Sequence, residues 1–175
     1  MKTIGYIGLA LITLAVVGCS SDKVAEPADA EVLDFNVIGD DAPADVESAL
    51  GELNRLGVTV PDPVLDSDPA VTEVLDLRRA AEIISNANLD DEGRRNFRRI
   101  ITHLNDQMQL LRRCMHENPD PALRRLAYGA SHAIHHGLRL IQAGEPRLAL
   151  RYFRQANRVL NLAHRICLEG NGGRP

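Results

Sequence analysis

Residues 90–121, DDEGRRNFRRIITHLNDQMQLLRRCMHENPDP, decide the fold. Their apolar side chains Phe97, Ile101, Leu104, Met108, Leu111 and Met115 recur in alternating steps of four and three, the seam of a helix that packs in a bundle. Asp90, Asp91 and Glu92 put negative charge where a helix N-terminus favours it. Asn118-Pro119-Asp120-Pro121 then breaks the pattern, because proline cannot continue a helix interior.

Two more helical patterns follow with short joints. One has Asp120 as cap and Pro121 at its first position. It carries Leu123, Leu126, Ala127, Ala130, Ile134, Gly137, Leu138 and Ile141 on one face and ends at Ala143-Gly144. The next opens at Glu145-Pro146 and shows Ala149, Tyr152, Phe153, Ala156, Leu160, Ala163, Ile166 and Cys167 before Gly170. On the N-terminal side, Ser67 or Asp68 caps a pattern beginning at Pro69 and running through Val71, Val74, Leu75, Leu77, Ala81 and Ile84 to about Asn86. Val46, Leu50, Leu53 and Leu56 space out a shorter helix that Gly57 ends, and Pro61, Pro63 and Pro69 keep the stretch after it extended. No stretch reads as a strand. The expectation is an all-α, antiparallel bundle of about four long helices.

Short joints make neighbouring helices antiparallel, so the second and fourth long helices run the same way. Cys114 lies in the last turn of one and Cys167 in the last turn of the other, at the same end of the bundle. On helical wheels Cys167 sits mid-face and Cys114 at the edge of its apolar face. A Cys114–Cys167 disulfide is expected, the alternative being two buried free thiols.

Charge is divided along the chain. The net charge is −4, but residues 20–92 carry 19 acidic and 4 basic side chains, net −15, whereas residues 93–175 carry 5 and 15, net +10. Either an acidic arm folds over a basic body or the two segments are solvated independently. Residues 20–42 are rich in Ala, Pro and Asp and read as a disordered tether. Val32, Leu33, Phe35, Val37 and Ile38 interrupt it; they read as a sticky stretch of that tether, with docking on the domain or a partner as the alternative.

The N-terminus explains why a tether is expected. Lys2 precedes an apolar run from Ile4 to Val17, too short to span a bilayer, which needs about 20 apolar residues, and of the length of a secretory h-region. It ends Val16-Val17-Gly18-Cys19-Ser20. That ending resembles the lipobox of bacterial lipoproteins, which implies cleavage before Cys19, lipidation of Cys19 and durable anchoring by several acyl chains. In a Gram-negative host, Ser20 rather than Asp after the cysteine implies the outer membrane, with the domain facing the periplasm. A periplasmic location is oxidising and suits the disulfide. The expected organisation is a signal peptide at 1–18, a lipidated acidic tether at 19–43, a short helix and Pro-rich connector at 44–66, a helical domain at 67–170 and a flexible tail at 171–175.

Gly137, Gly144, Ala149, Phe153 and Ala156 have a spacing similar to a single tetratricopeptide repeat over about residues 130–163. The resemblance implies a close helical hairpin, with Phe153 filling the groove that small residues leave. Ala133 and Asn161 depart from the family pattern, and no second repeat stands 34 residues upstream.

Candidate chemistry is sparse. His132, His135 and His136 cluster on the third long helix, and the i,i+4 pair can chelate a metal; Arg125 and Arg139 share their sector and no carboxylate joins them, so this is the alternative reading. A Cys₂His₂ site from Cys114, His116, His164 and Cys167 competes with the disulfide for the same thiols. No C-x-x-C-H, phosphate-cradling Gly loop or G-x-S-x-G turn is present. The expectation is a non-catalytic interaction or scaffold module without a cofactor. Its arginines, among them Arg94, Arg95, Arg98, Arg99, Arg112, Arg113, Arg124, Arg125, Arg147, Arg151, Arg154 and Arg158, suit a protein or anionic envelope partner. Nucleic acid is not expected.

Overall fold

Aspartates start most of the helices. The Asp45 carboxylate accepts from the Ser48 N–H at 2.7 Å, Asp76 from Arg79 at 3.0 Å, Asp90 from Gly93 at 2.6 Å and Asp120 from Ala122 at 2.8 Å. Each satisfies a donor that the first helical turn leaves without an intrahelical partner. In the computed structural model, which describes residues 33–65, 67–72 and 75–171, the helices are α1 (Val46–Arg55), α2 (Pro69–Thr72), α3 (Leu77–Asn86), α4 (Asp91–Glu117), α5 (Pro121–Gln142) and α6 (Pro146–Asn171). There is no strand among the described residues. Replacing Asp120 by Ala removes the cap of α5 and is expected to cost about 1 kcal/mol, read as a lower urea midpoint.

The protein is an all-α helical bundle, as the apolar spacing predicts, built on the long antiparallel helices α4, α5 and α6. Phe97, Leu104 and Leu111 of α4, Leu123, Leu126 and Ile134 of α5, and Phe153 and Leu160 of α6 are almost wholly buried. The α5–α6 joint turns at Gly144, whose φ of +81° is left-handed backbone that glycine adopts without strain. Gly137 allows the two helices to approach closely, because a Cβ there would lie 2.3 Å from Cε1 of Phe153. The Phe153 ring thus fills the space that the small residue at Gly137 leaves.

The first of the four long helices, expected to start at Ser67 or Asp68 and run to about Asn86, is instead two short ones. Asp68 accepts from the Ala70 N–H at 2.8 Å and starts α2; α3 starts afresh at Asp76. An aspartate inside a helix competes for nearby backbone N–H groups, and here its bond to Arg79 creates a new N-terminus. Val71, Ala80 and Ile84 still enter the core, whereas Leu77, the first residue of α3, is 39 % exposed. Val74 lies outside the described residues.

The expected tether also differs. Residues 19–32 lie outside the described residues, but residues 33–43 are packed on the bundle rather than disordered, and Leu33 onward belongs to one compact unit. Val37 is 3 % exposed and the Phe35 ring meets Phe97 edge-on at 5.3 Å. Burial of these two apolar anchors is what tether-like composition does not register. The connector at 44–66 joins the core as well, through Leu53, Val58 and Val64. A Cβ on Gly129 of α5 would lie 2.4 Å from Cδ1 of Leu53, so α1 rests directly on that helix.

Candidate functional site

Cys114 and Cys167 are joined by a disulfide with their Cα atoms 6.1 Å apart. It ties α4 to α6 at one end of the bundle, and the thiols of the alternative Cys₂His₂ site are therefore committed to each other. His164, three residues before Cys167, places Nε2 3.2 Å from the Gln107 carbonyl oxygen of α4. Cys19 lies outside the described residues. Among the described residues no helix is long and apolar enough to cross a membrane.

The three clustered histidines do not converge. His132 stacks on Tyr128 at 4.3 Å and His136 on Tyr152 at 5.3 Å, while His135 is exposed. The Tyr152 hydroxyl donates to the Leu56 carbonyl at 2.5 Å, so this stack braces the end of α1. Among the described residues no group of three or more His, Cys, Asp or Glu side chains could hold a metal ion. Burial pulls the His132, His136 and His164 imidazoles below their ordinary range. The Arg139 charge adds to this at His132 and His136, and Asp68 opposes it at His132. At His164 the bond to Gln107 opposes it and the His103 charge adds to it.

These depressed values carry a sign. The unfolded chain takes up protons near the ordinary histidine pKa of about 6.5, whereas the folded chain takes them up only at lower pH. Stability is therefore full above that value and falls as the pH drops below it. Urea midpoints measured from pH 7.5 down to 5.5 are expected to decline, and His164→Gln, which can still donate to Gln107, is expected to flatten the decline.

The charge division resolves partly within the fold. Arg154 pairs with the Asp34 carboxylate and donates to its main-chain carbonyl at 2.6 Å. Arg158 lies 2.9 Å from Asp41 on one side and 2.9 Å from Glu52 on the other. Arg125 meets Glu47 at 3.1 Å. Residues 34–41 thus lie along one flank of α6 and α1 along the other, an acidic arm folded over a basic body. Arg112 turns inward and donates to the Val71 carbonyl at 3.1 Å. Arg95, Arg99 and Arg113 on the outer side of α4, and Arg151 and Arg165 on α6, stay exposed.

Apolar spacing gives no functional role to three polar residues of α6. Gln155 is 7 % exposed and donates to Glu52 at 2.9 Å; Asn157 is 1 % exposed and donates to the Gly39 carbonyl at 2.9 Å. Asn161 donates to the carbonyls of Gly39 and Asp41 at 2.6 and 3.0 Å. The i,i+4 spacing of Asn157 and Asn161 beside Arg154 and Arg158 is the signal that marks a shared face.

An open cleft of about 250 Å³ between α3 and the end of α5 is lined by Arg79, Glu82, Ile83, Asn86, Ala87 and Gln142. It holds a single carboxylate and no neighbouring acid–base partner, so its lining alone supplies no paired acid–base chemistry.

These features define a disulfide-tied helical body with its own N-terminal arm laid against it. No family model matches the chain, and no curated protein or solved structure matches it.

Proposed function

We propose that the chain is a lipid-anchored, extracytoplasmic helical lipoprotein that acts as a non-catalytic interaction module. It is held to the membrane through Cys19 and, in a Gram-negative cell, faces the periplasm from the outer membrane. The observation that carries this reading is the Cys114–Cys167 bond. Protein disulfides persist in oxidising compartments and are kept reduced in the cytosol. That compartment agrees with the export and lipidation that Val16-Val17-Gly18-Cys19 implies. The exposed Arg95, Arg99 and Arg113 of α4 offer positive charge to an acidic protein or anionic envelope component.

Growth of an expressing bacterium with an alkyne-tagged fatty acid tests the anchor. The expected result is a labelled chain that fractionates with the outer membrane, and no label on Cys19→Ala. Label-free wild-type chain would overturn the anchor, and free thiols at Cys114 and Cys167 in the purified protein would overturn the compartment.

A further inference from the structure

The arm is held in a manner suited to peptide recognition. Asn157 and Asn161 aim their side-chain amides at main-chain carbonyls of residues 39 and 41, in the bend that follows a turn at 36–37, so they read backbone whatever its side chains. Asn157 is preset for this, because His103 of α4 lies 3.0 Å from its Oδ1 and so turns its Nδ2 toward the arm. Arg154 and Arg158 select acidic side chains at Asp34 and Asp41. Between them, Phe35 and Val37 supply apolar anchors two residues apart, one against Phe97 and one almost wholly buried.

The arm's hold is weak for its length. Asp34 and Asp41 are 69 % and 71 % exposed at their side chains, and such pairs contribute little in water. Two anchors, three amide bonds and the Arg154 bond to the Asp34 carbonyl must offset the ordering of eight backbone residues, a cost of comparable size. A segment held so near balance exchanges with a competitor of like chemistry.

We infer that the groove between α4 and α6 which holds residues 34–41 is a reading site for an acidic peptide that turns as the arm does. A partner protein's segment carrying an acidic residue, an aromatic and, two residues on, an aliphatic enters it by displacing the arm. This deepens the interaction-module reading and rests on it, but it does not depend on the lipid anchor. The site is occupied in cis until such a partner arrives, and release of the arm frees Arg154 and leaves Arg158 paired with Glu52 of α1.

The probe is a fluorescent synthetic peptide of residues 32–43, VLDFNVIGDDAP, titrated with the disulfide-bonded chain from Ser20 onward, which contains the whole compact unit starting at Leu33. Asp34→Asn/Phe35→Ser/Asp41→Asn weakens the cis arm. Asp34→Asn/Asp41→Asn alters only exposed carboxylates and guards against misfolding, checked by circular dichroism. The expected result is peptide binding at least tenfold tighter to the triple variant than to the wild type, with an intermediate gain for the double variant. Adding Arg154→Ala to the triple variant is expected to cancel the gain. Equal binding by wild type and both variants, or equal binding of a scrambled peptide, would overturn the proposal. Neither result bears on fatty-acid labelling of Cys19, so the two readings fail separately.

Discussion

Loss of the Cys114–Cys167 bond is expected to lower stability by about 4 kcal/mol. The two cysteines are 53 residues apart, and the loop-closure entropy removed from the unfolded chain by such a link is worth about that much at 25 °C. For a domain of this size the loss corresponds to a fall in Tm of about 10 °C. The fairest comparison is Cys114→Ala/Cys167→Ala with the oxidised wild type. Both sulfurs lie in residues under 10 % exposed, 9 % and 7 %, and alanine leaves no buried hydroxyl without a partner. Urea unfolding gives the magnitude. Hydrogen exchange gives the location: amides of α6 after His164 are expected to lose protection first, because the His164–Gln107 bond then holds α6 to α4 only up to that point. A stability change under about 1 kcal/mol would mean that the unfolded chain is already compact there and that the link restrains little.

What could be read from the sequence follows how local each signal is. The 4-3 spacing from Phe97 to Met115 and the caps at Asp90 and Asp120 place α4 and the start of α5, because apolar period and capping operate within a few residues. The disulfide was accessible at one remove, since short joints fix the directions of α4 and α6 and hence the end where both thiols lie. The break at Asp76 was hidden by an apolar pattern that runs on across it from Val71 to Ile84. Only the choice between a mid-helix aspartate and a capping one decides, and the packing of α2 and α3 on α5 makes that choice. Composition reveals that residues 20–92 are acidic, but not that Asp34, Asp41 and Glu52 converge on Arg154 and Arg158. Asn157 reads as a polar residue at the edge of the α6 stripe. It lies buried between His103 of α4 and the arm, the latter a contact between residues more than 100 positions apart. The histidines, conversely, look like a cluster in sequence, yet helical geometry sends His132 and His136 to different tyrosines.

Phe153→Ala is expected to cost about 3 to 5 kcal/mol, the range for deleting a fully buried aromatic ring. The ring has no exposure, lies edge-on to Phe97 at 6.0 Å and fills the space beside Gly137. Phe97 in turn carries Phe35, so the loss is expected to loosen the arm as well, seen as faster hydrogen exchange at residues 35–37. The fit with Gly137 supplies a sharper test than the single substitution. Gly137→Ala in the wild type puts a methyl 2.3, 2.7 and 2.8 Å from three ring carbons. The ring is too enclosed to step aside, so overpacking is expected to destabilise by about 1 to 3 kcal/mol. In the Phe153→Ala background the same methyl enters vacated space, and alanine is favoured over glycine inside a helix by up to about 1 kcal/mol. There Gly137→Ala is expected to stabilise. Urea midpoints of the four proteins form a double-mutant cycle whose coupling should exceed 1 kcal/mol, as residues in direct contact allow. Additive effects would mean that α5 and α6 slide apart to admit the methyl, and that the small residue at Gly137 does not set their separation.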